Sequence, residues 1–127
     1  MKKCIIIAEA GVNHNGDINL AKELIKEASN AGANYVKFQS FKANSLVTKN
    51  AEQAKYQKEN TKKIESQFEM LKRLELTDND HFELINECKK NNIGFLSSAF
   101  DIAGIEFIKT LNVDFLKIPS GEITNLP

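Results

Sequence analysis

The stretch CIIIAEAGVNHNGD, Cys4 to Asp17, decides how the rest of the chain is read. Cys4 to Ala8 is a short apolar run with three isoleucines, of strand length and β-branched content. The residues that follow, Glu9-Ala10-Gly11-Val12-Asn13-His14-Asn15-Gly16, have the composition of a turn. Asp17 then stands where a helix N-cap belongs. Behind it Leu20, Ala21, Leu24, Ile25 and Ala28 recur at helical spacing, and Gly32 is placed to stop the helix. The unit is strand, turn, helix. Its turn carries no Gly-x-Gly-x-x-Gly, which argues against a dinucleotide-binding first turn.

The same alternation repeats outward from this unit. Further strand-like runs are Tyr35 to Phe38 (YVKF), Ile93 to Ser97 (IGFLS) and Phe115 to Ile118 (FLKI). Between the second and third lies a polar stretch, then a short helix with Phe68, Leu71 and Leu74. A second helix follows, capped by Thr77, with Phe82, Ile85, and Cys88 or Leu84 facing inward. After the third run, Asp101 can cap a helix carrying Ile105, Ile108 and Leu111. Phe68, Leu71, Phe82 and Phe107 are expected in the core. The order βαβαβαβ predicts a parallel sheet with right-handed crossovers. Four strands make half of an eight-stranded (βα) barrel, which closes at about 250 residues. A half-barrel leaves open edges, so the chain is expected to be a fragment of a longer protein, or a half that must pair with something.

Composition narrows the functional classes. The chain has 127 residues, 42% hydrophobic and 27% charged, with Lys+Arg and Asp+Glu both at 17. There is no net field to attract nucleic acid or an anionic membrane. The apolar runs are far shorter than a membrane span, and Glu9 interrupts the N-terminal one, so a signal peptide is not expected. A cytoplasmic location is expected. Cys4 and Cys88 lie inside predicted elements and form no metal-spaced motif. Both are expected to be buried, reduced thiols.

In a (βα) barrel the active site lies at the C-terminal ends of the strands. That rule places Glu9, Lys37, Gln39, Ser97, Ser98, Lys117, Ser120 and Glu122 on one face. Lysines inside apolar strands, Val36-Lys37-Phe38 and Leu116-Lys117-Ile118, are costly unless an anion meets them. Two ammonium groups with serine hydroxyls suit the phosphate and carboxylate of a small ligand. The glutamates can serve as acid, base or metal-shell groups, and Gly121 is expected to free the turn that aims Glu122. Plainer readings stand beside these. The lysines can snorkel from strand ends, and Glu9 can cap a neighbouring backbone. His14 reads as a loop-ordering residue rather than a metal ligand, and His81 lies on a polar helix face. The segment Lys42 to Lys63, with six lysines and two glutamates, reads as a solvated face or as a substrate-covering lid.

The segments IIIAEAGVNHNG, YVKFQSF, FLSSAF and FLKIPSGEITNLP resemble, in order and spacing, the N-terminal barrel segments of sialic acid synthases, including the legionaminic acid synthases. The resemblance covers essentially the whole chain. Pseudaminic acid synthases differ at the fourth strand, so Ser120-Gly121-Glu122 favours the sialic or legionaminic branch. The resemblance implies an α/β fold of the parallel TIM-barrel type. Residues 1–127 would form the N-terminal portion of a (βα)8 synthase domain. The rest of the barrel and a C-terminal antifreeze-like domain would lie outside the chain, and the full-length protein would be a homodimer. It implies condensation of phosphoenolpyruvate with an N-acetylated hexosamine of the N-acetylmannosamine type, or with a diacetamido sugar in the legionaminic branch. A divalent metal, Mn²⁺ or Mg²⁺, would be held by later residues. Lys37 and Lys117 match the lysines that hold phosphoenolpyruvate, Ser98 and Ser120 match ligand-contacting hydroxyls, and Glu9 and Glu122 match carboxylates near the reacting centre. Gln39 and Asn60 fall where the family contacts the sugar. One departure is Ser97-Ser98-Ala99-Phe100, where the family commonly has Ser-Thr-Pro-Phe. It removes a proline-fixed φ but keeps the hydroxyl. A truncated barrel piece that binds an anion or partner without catalysis is the alternative class.

Overall fold

The computed structural model describes residues 4–46 and 66–126. Along the chain run β1 (Ile7–Gly11), α1 (Ile18–Asn30), β2 (Tyr35–Ser40), a short α2 (Ala43–Leu46), α3 (Gln67–Leu74), α4 (Asp78–Lys90), β3 (Gly94–Ala99), α5 (Ile102–Thr110) and a 3₁₀ turn at Ser120–Glu122. The strands make one sheet in the order β1-β2-β3, with both pairings parallel.

Local chemistry explains the helix starts. The Asp17 carboxylate accepts from the Asn19 and Leu20 backbone N–H groups. Thr77 and Asp80 form a reciprocal capping box, as do Ser66 and Glu69. Asp101 accepts from Gly104 N–H at 2.7 Å. Each cap satisfies backbone donors that the first turn leaves unpaired.

Strand alternation separates core from cavity. Val36, Phe38 and Phe95 face the helices and join Ala21, Ile25 and Ala28 of α1 and Leu84 and Cys88 of α4 in one buried cluster. The Phe38 and Phe95 rings stack with centroids 5.8 Å apart. Burying a side chain of this size contributes about 1.5–3 kcal/mol. Lys37, Gln39, Leu96 and Ser98 have the opposite parity and face away from the helices.

Several expectations are corrected. β1 starts at Ile7 and runs to Gly11, because its register begins with Ile7 opposite Tyr35, the first residue of β2. Ile6 still bonds to Asn34 and Tyr35, but Cys4 lies before that contact and is an exposed thiol rather than a buried one. On α4 the buried stripe is His81, Leu84 and Cys88. Phe82 lies about 100° round the helix from His81 and is exposed. His81 is therefore a core residue, not part of a polar face. Phe68 and Leu71 are only partly buried, Leu71 against a second small cluster around Phe41, Met70 and Leu74. Phe107 packs partly buried against the main core.

The run Phe115–Ile118 is not a strand among the described residues. Side-chain contacts to β2 hold its start instead of ladder bonds to β3. The Tyr35 hydroxyl donates to Asp114 Oδ2 at 2.9 Å, and the Phe115 ring meets Tyr35 edge-on at 5.3 Å. Phe115, Leu116 and Ile118 stay exposed.

Candidate active site

Parallel strands end on the same side, and the site is built there. Lys37 lies between the strands that flank it. Its ammonium is 3.0 Å from Glu9 Oε1 and donates to the Phe38 carbonyl at 3.2 Å and Ser98 Oγ at 3.4 Å. The Lys37 side chain is 4% exposed, whereas that of Glu9 is 58% exposed. A cation buried this far requires anionic or hydrogen-bonding partners. The asymmetry has a chemical consequence. Glu9 can turn into water at low cost, so an incoming anion can share the ammonium or take it over.

A β-bulge aims Glu9. The β1–β2 register slips between Glu9 and Gly11, leaving Ala10 as the extra residue. Gly11 takes φ +54, in the left-handed region, and a Cβ there would lie 3.1 Å from Glu9 Oε1. Glycine thus permits both the bulge and the position of the carboxylate.

Glu9, Lys37, Gln39, Ser98, Lys117 and Ser120 line one cavity of about 460 Å³. Lys117 and Ser120 reach it from the segment after α5 although that segment joins no ladder. Glu122 is not brought to this cavity. It lines the adjoining apolar space of about 920 Å³ with Leu116, Ile118 and Leu126, which Lys117 also borders. Its carboxylate accepts from Asn125 Nδ2 at 2.7 Å. Gly121 is not in the left-handed region; the 3₁₀ turn, not a glycine-only conformation, sets the direction of Glu122. Asn60, and the proposed lid beyond residue 46, lie outside the described residues.

His14 orders the turn after β1 by accepting Gly16 N–H on Nδ1 at 3.0 Å. Its proton must then sit on Nε2, which is buried and finds no partner among the described residues. An unpaired donor of this kind costs about 1–3 kcal/mol. Burial pulls its pKa below the usual histidine value, with Asp80 opposing. Among the described residues no three His, Cys, Asp or Glu side chains group as metal ligands.

The sequence reading missed a second polar cluster, on the helix side of the same strand ends. The His81 ring joins Ser40 Oγ and the Thr77 carbonyl, and Ser40 Oγ joins Ser97 Oγ. The signal was parity. Ser40 and Ser97 have the alternation phase of Phe38 and Phe95, and hydroxyls on a core face call for a buried polar partner.

The model of the NeuB family matches residues 24–127. The chain is 54% identical over 127 residues to the N,N'-diacetyllegionaminic acid synthase of Campylobacter jejuni, spanning 100% of this chain and 38% of that protein. It is 55% identical over 124 residues to the enzyme of that name from Legionella pneumophila, spanning 98% and 35%. Human N-acetylneuraminate-9-phosphate synthase is 33% identical over 124 residues, spanning 98% and 34%. The crystal structure of a sialic acid synthetase from Leptospira borgpetersenii, in complex with citrate, superposes with a TM-score of 0.77 at 32% identity, covering 98% of this chain and 39% of that one. The chain thus spans little more than a third of the length of these relatives. The fold is of the expected parallel (βα) barrel type, and the described strands belong to its N-terminal half. The family match runs over most of the chain, through β2, β3 and the Lys117–Glu122 segment that build the cavity, and on that ground the chain belongs to the NeuB family.

Proposed function

We propose that the protein containing this chain condenses phosphoenolpyruvate with an N-acetylated amino sugar, releasing inorganic phosphate and a nonulosonic acid. The observation that carries this reading is the convergence of Lys37 and Lys117 with Ser98 and Ser120 on one strand-end cavity. Two cations with hydroxyl donors match a ligand that bears a phosphate and a carboxylate. The family membership supports the reaction class. Residues 1–127 are taken as the N-terminal portion of the synthase barrel. The acceptor is a diacetamido sugar of the legionaminic branch, favoured by identities of 54% and 55% to the two legionaminic acid synthases against 33% to the human N-acetylneuraminate-9-phosphate synthase. The enzyme is placed in the cytoplasm, which keeps thiols such as Cys4 and Cys88 reduced.

In this reaction C3 of phosphoenolpyruvate forms a bond to the aldehyde carbon of the open-chain sugar, whose oxygen takes a proton. Water adds to C2, and the C2–O bond to phosphate breaks, so phosphate leaves with the bridging oxygen and a ketone remains. Lys37 and Lys117 hold the phosphate and carboxylate, with Ser98 and Ser120 donating to them. Glu9, beside the Lys37 ammonium, holds or passes the proton. Gln39 and Asn60 meet the sugar, and Glu122 acts from the adjoining space that Lys117 also borders, where it orients sugar or water, or relays a proton. A divalent metal, if bound, would polarise the aldehyde; among the described residues no three His, Cys, Asp or Glu side chains group to hold it.

The test is turnover by the full-length protein with phosphoenolpyruvate labelled by ¹⁸O in the bridging position, offered a diacetamido hexose or N-acetylmannosamine. The expected result is labelled inorganic phosphate with a sugar present and faster turnover of the diacetamido sugar. No phosphate release with either sugar would overturn the reading.

A further inference from the structure

We propose that His81 is a positioning residue for the strand-end site, acting through Ser40 and Ser97 from the opposite side of the sheet. The inference rests on the proposed function. His81 is only 2% exposed. Its Nδ1 lies 2.7 Å from the Thr77 carbonyl oxygen and its Nε2 lies 2.6 Å from Ser40 Oγ. Ser40 Oγ is in turn 2.6 Å from Ser97 Oγ. A carbonyl only accepts, so Nδ1 carries the ring proton. Nε2 then accepts from the Ser40 hydroxyl, and Ser40 Oγ accepts from the Ser97 hydroxyl. The neutral ring leaves one consistent direction for the chain, and all its members are satisfied in a buried setting.

This chain is tied to the sheet register. Phe38 pairs with Ser97, Gln39 with Ser98 and Ser40 with Ala99. The Ser40–Ser97 bond therefore runs diagonally between β2 and β3 on the helix side, while Gln39 and Ser98 stand opposite each other on the cavity side. A slip of one residue would turn these side chains to the wrong faces, and a slip of two would part the hydroxyls. Phe95 of β3 and Phe107 of α5 meet the His81 ring edge-on, with centroids 6.3 and 5.1 Å away. They hold the ring in the plane the bonds need. On the cavity side the Lys37–Ser98 bond is already long at 3.4 Å. A displacement of a few tenths of an ångström at the end of β3 breaks it. The two faces of the same residues thus have different tasks, with the back face setting where the front face points.

The test uses the full-length protein and four variants, His81→Leu, Ser40→Ala, their combination and His81→Gln, assayed well below their melting temperatures. His81→Leu and Ser40→Ala should each lower kcat/KM for phosphoenolpyruvate about tenfold, and the double variant should be no worse than either, because the chain acts as one unit. His81→Gln, whose amide reaches the Nε2 position and can accept from Ser40, should recover most of the loss. Variants that melt lower but keep wild-type kcat/KM, or a glutamine variant no better than the leucine one, would overturn the positioning role and leave the proposed function standing. A wild-type protein that consumes no phosphoenolpyruvate would overturn both.

Discussion

Replacing Lys37 by Met separates the worth of its charge to a ligand from its worth to the fold. The methionine keeps most of the stem volume and removes the ammonium. In the free protein the Lys37 side chain is 4% exposed, and its ammonium faces a Glu9 side chain that is 58% exposed. Losing the cation lets the Glu9 carboxylate rehydrate, while the desolvation cost of the buried ammonium disappears. The two effects oppose each other, so stability should change by no more than about 1 kcal/mol. The ligand has no such compensation. Truncating a buried, hydrogen-bonded charge partner costs about 2–5 kcal/mol. Because Glu9 already shares the ammonium, the loss should fall near the lower end, a rise in Kd of about 30-fold. Calorimetric titration of the full-length protein with phosphoenolpyruvate reads the affinity, and thermal melting reads the fold. A Kd within about threefold of wild type, which is under 1 kcal/mol, with an unchanged melting temperature would refute the assignment of Lys37 to the anion.

Glu122→Gln should lower kcat of the full-length enzyme about a hundredfold, the scale of one acid–base group, while phosphoenolpyruvate binding survives; near-normal kcat would make Glu122 a turn-ordering partner of Asn125 only. His14 and His81 are both held below the usual histidine value of 6.5 by burial, His81 against the opposing pull of its Thr77 hydrogen bond. A depressed folded pKa means the unfolded chain binds more protons, so the contribution is intact above 6.5 and lost as pH falls below it. The melting temperature should drop through that range, and a histidine-free double variant with the same slope would disprove the source. Burial pushes the Cys88 thiol from 9.0 up to about 12, whereas Cys4 is exposed. Iodoacetamide at about pH 8 should therefore label Cys4 and spare Cys88 in the folded protein, as peptide mapping would show; equal labelling would contradict the burial.

Local signals in the sequence sufficed for the four longer helices and for the strand alternation through β3, but not for the short α2. Asp17, Thr77 and Asp101 are short-range caps whose partners lie within three residues, so they are readable without knowing the fold. The Lys37 and Ser98 positions were equally legible, because alternation within β2 and β3 assigns each residue a face before any partner is known. Three matters were decided only by tertiary contacts. The start of β1, and with it the exposure of Cys4, depends on where β2 begins opposite it. The inward turn of His81 in place of Phe82 depends on two hydroxyls from separate strands meeting α4. The Phe115–Ile118 run has strand composition, but its observed path is set by Tyr35, some eighty residues away in sequence, through a hydroxyl bond to Asp114 and a ring contact with Phe115. Propensity and periodicity act over one or two turns of chain, whereas pairing, burial of a polar ring and the meeting of Lys117 with Lys37 at one cavity depend on residues far apart in sequence coming together in space.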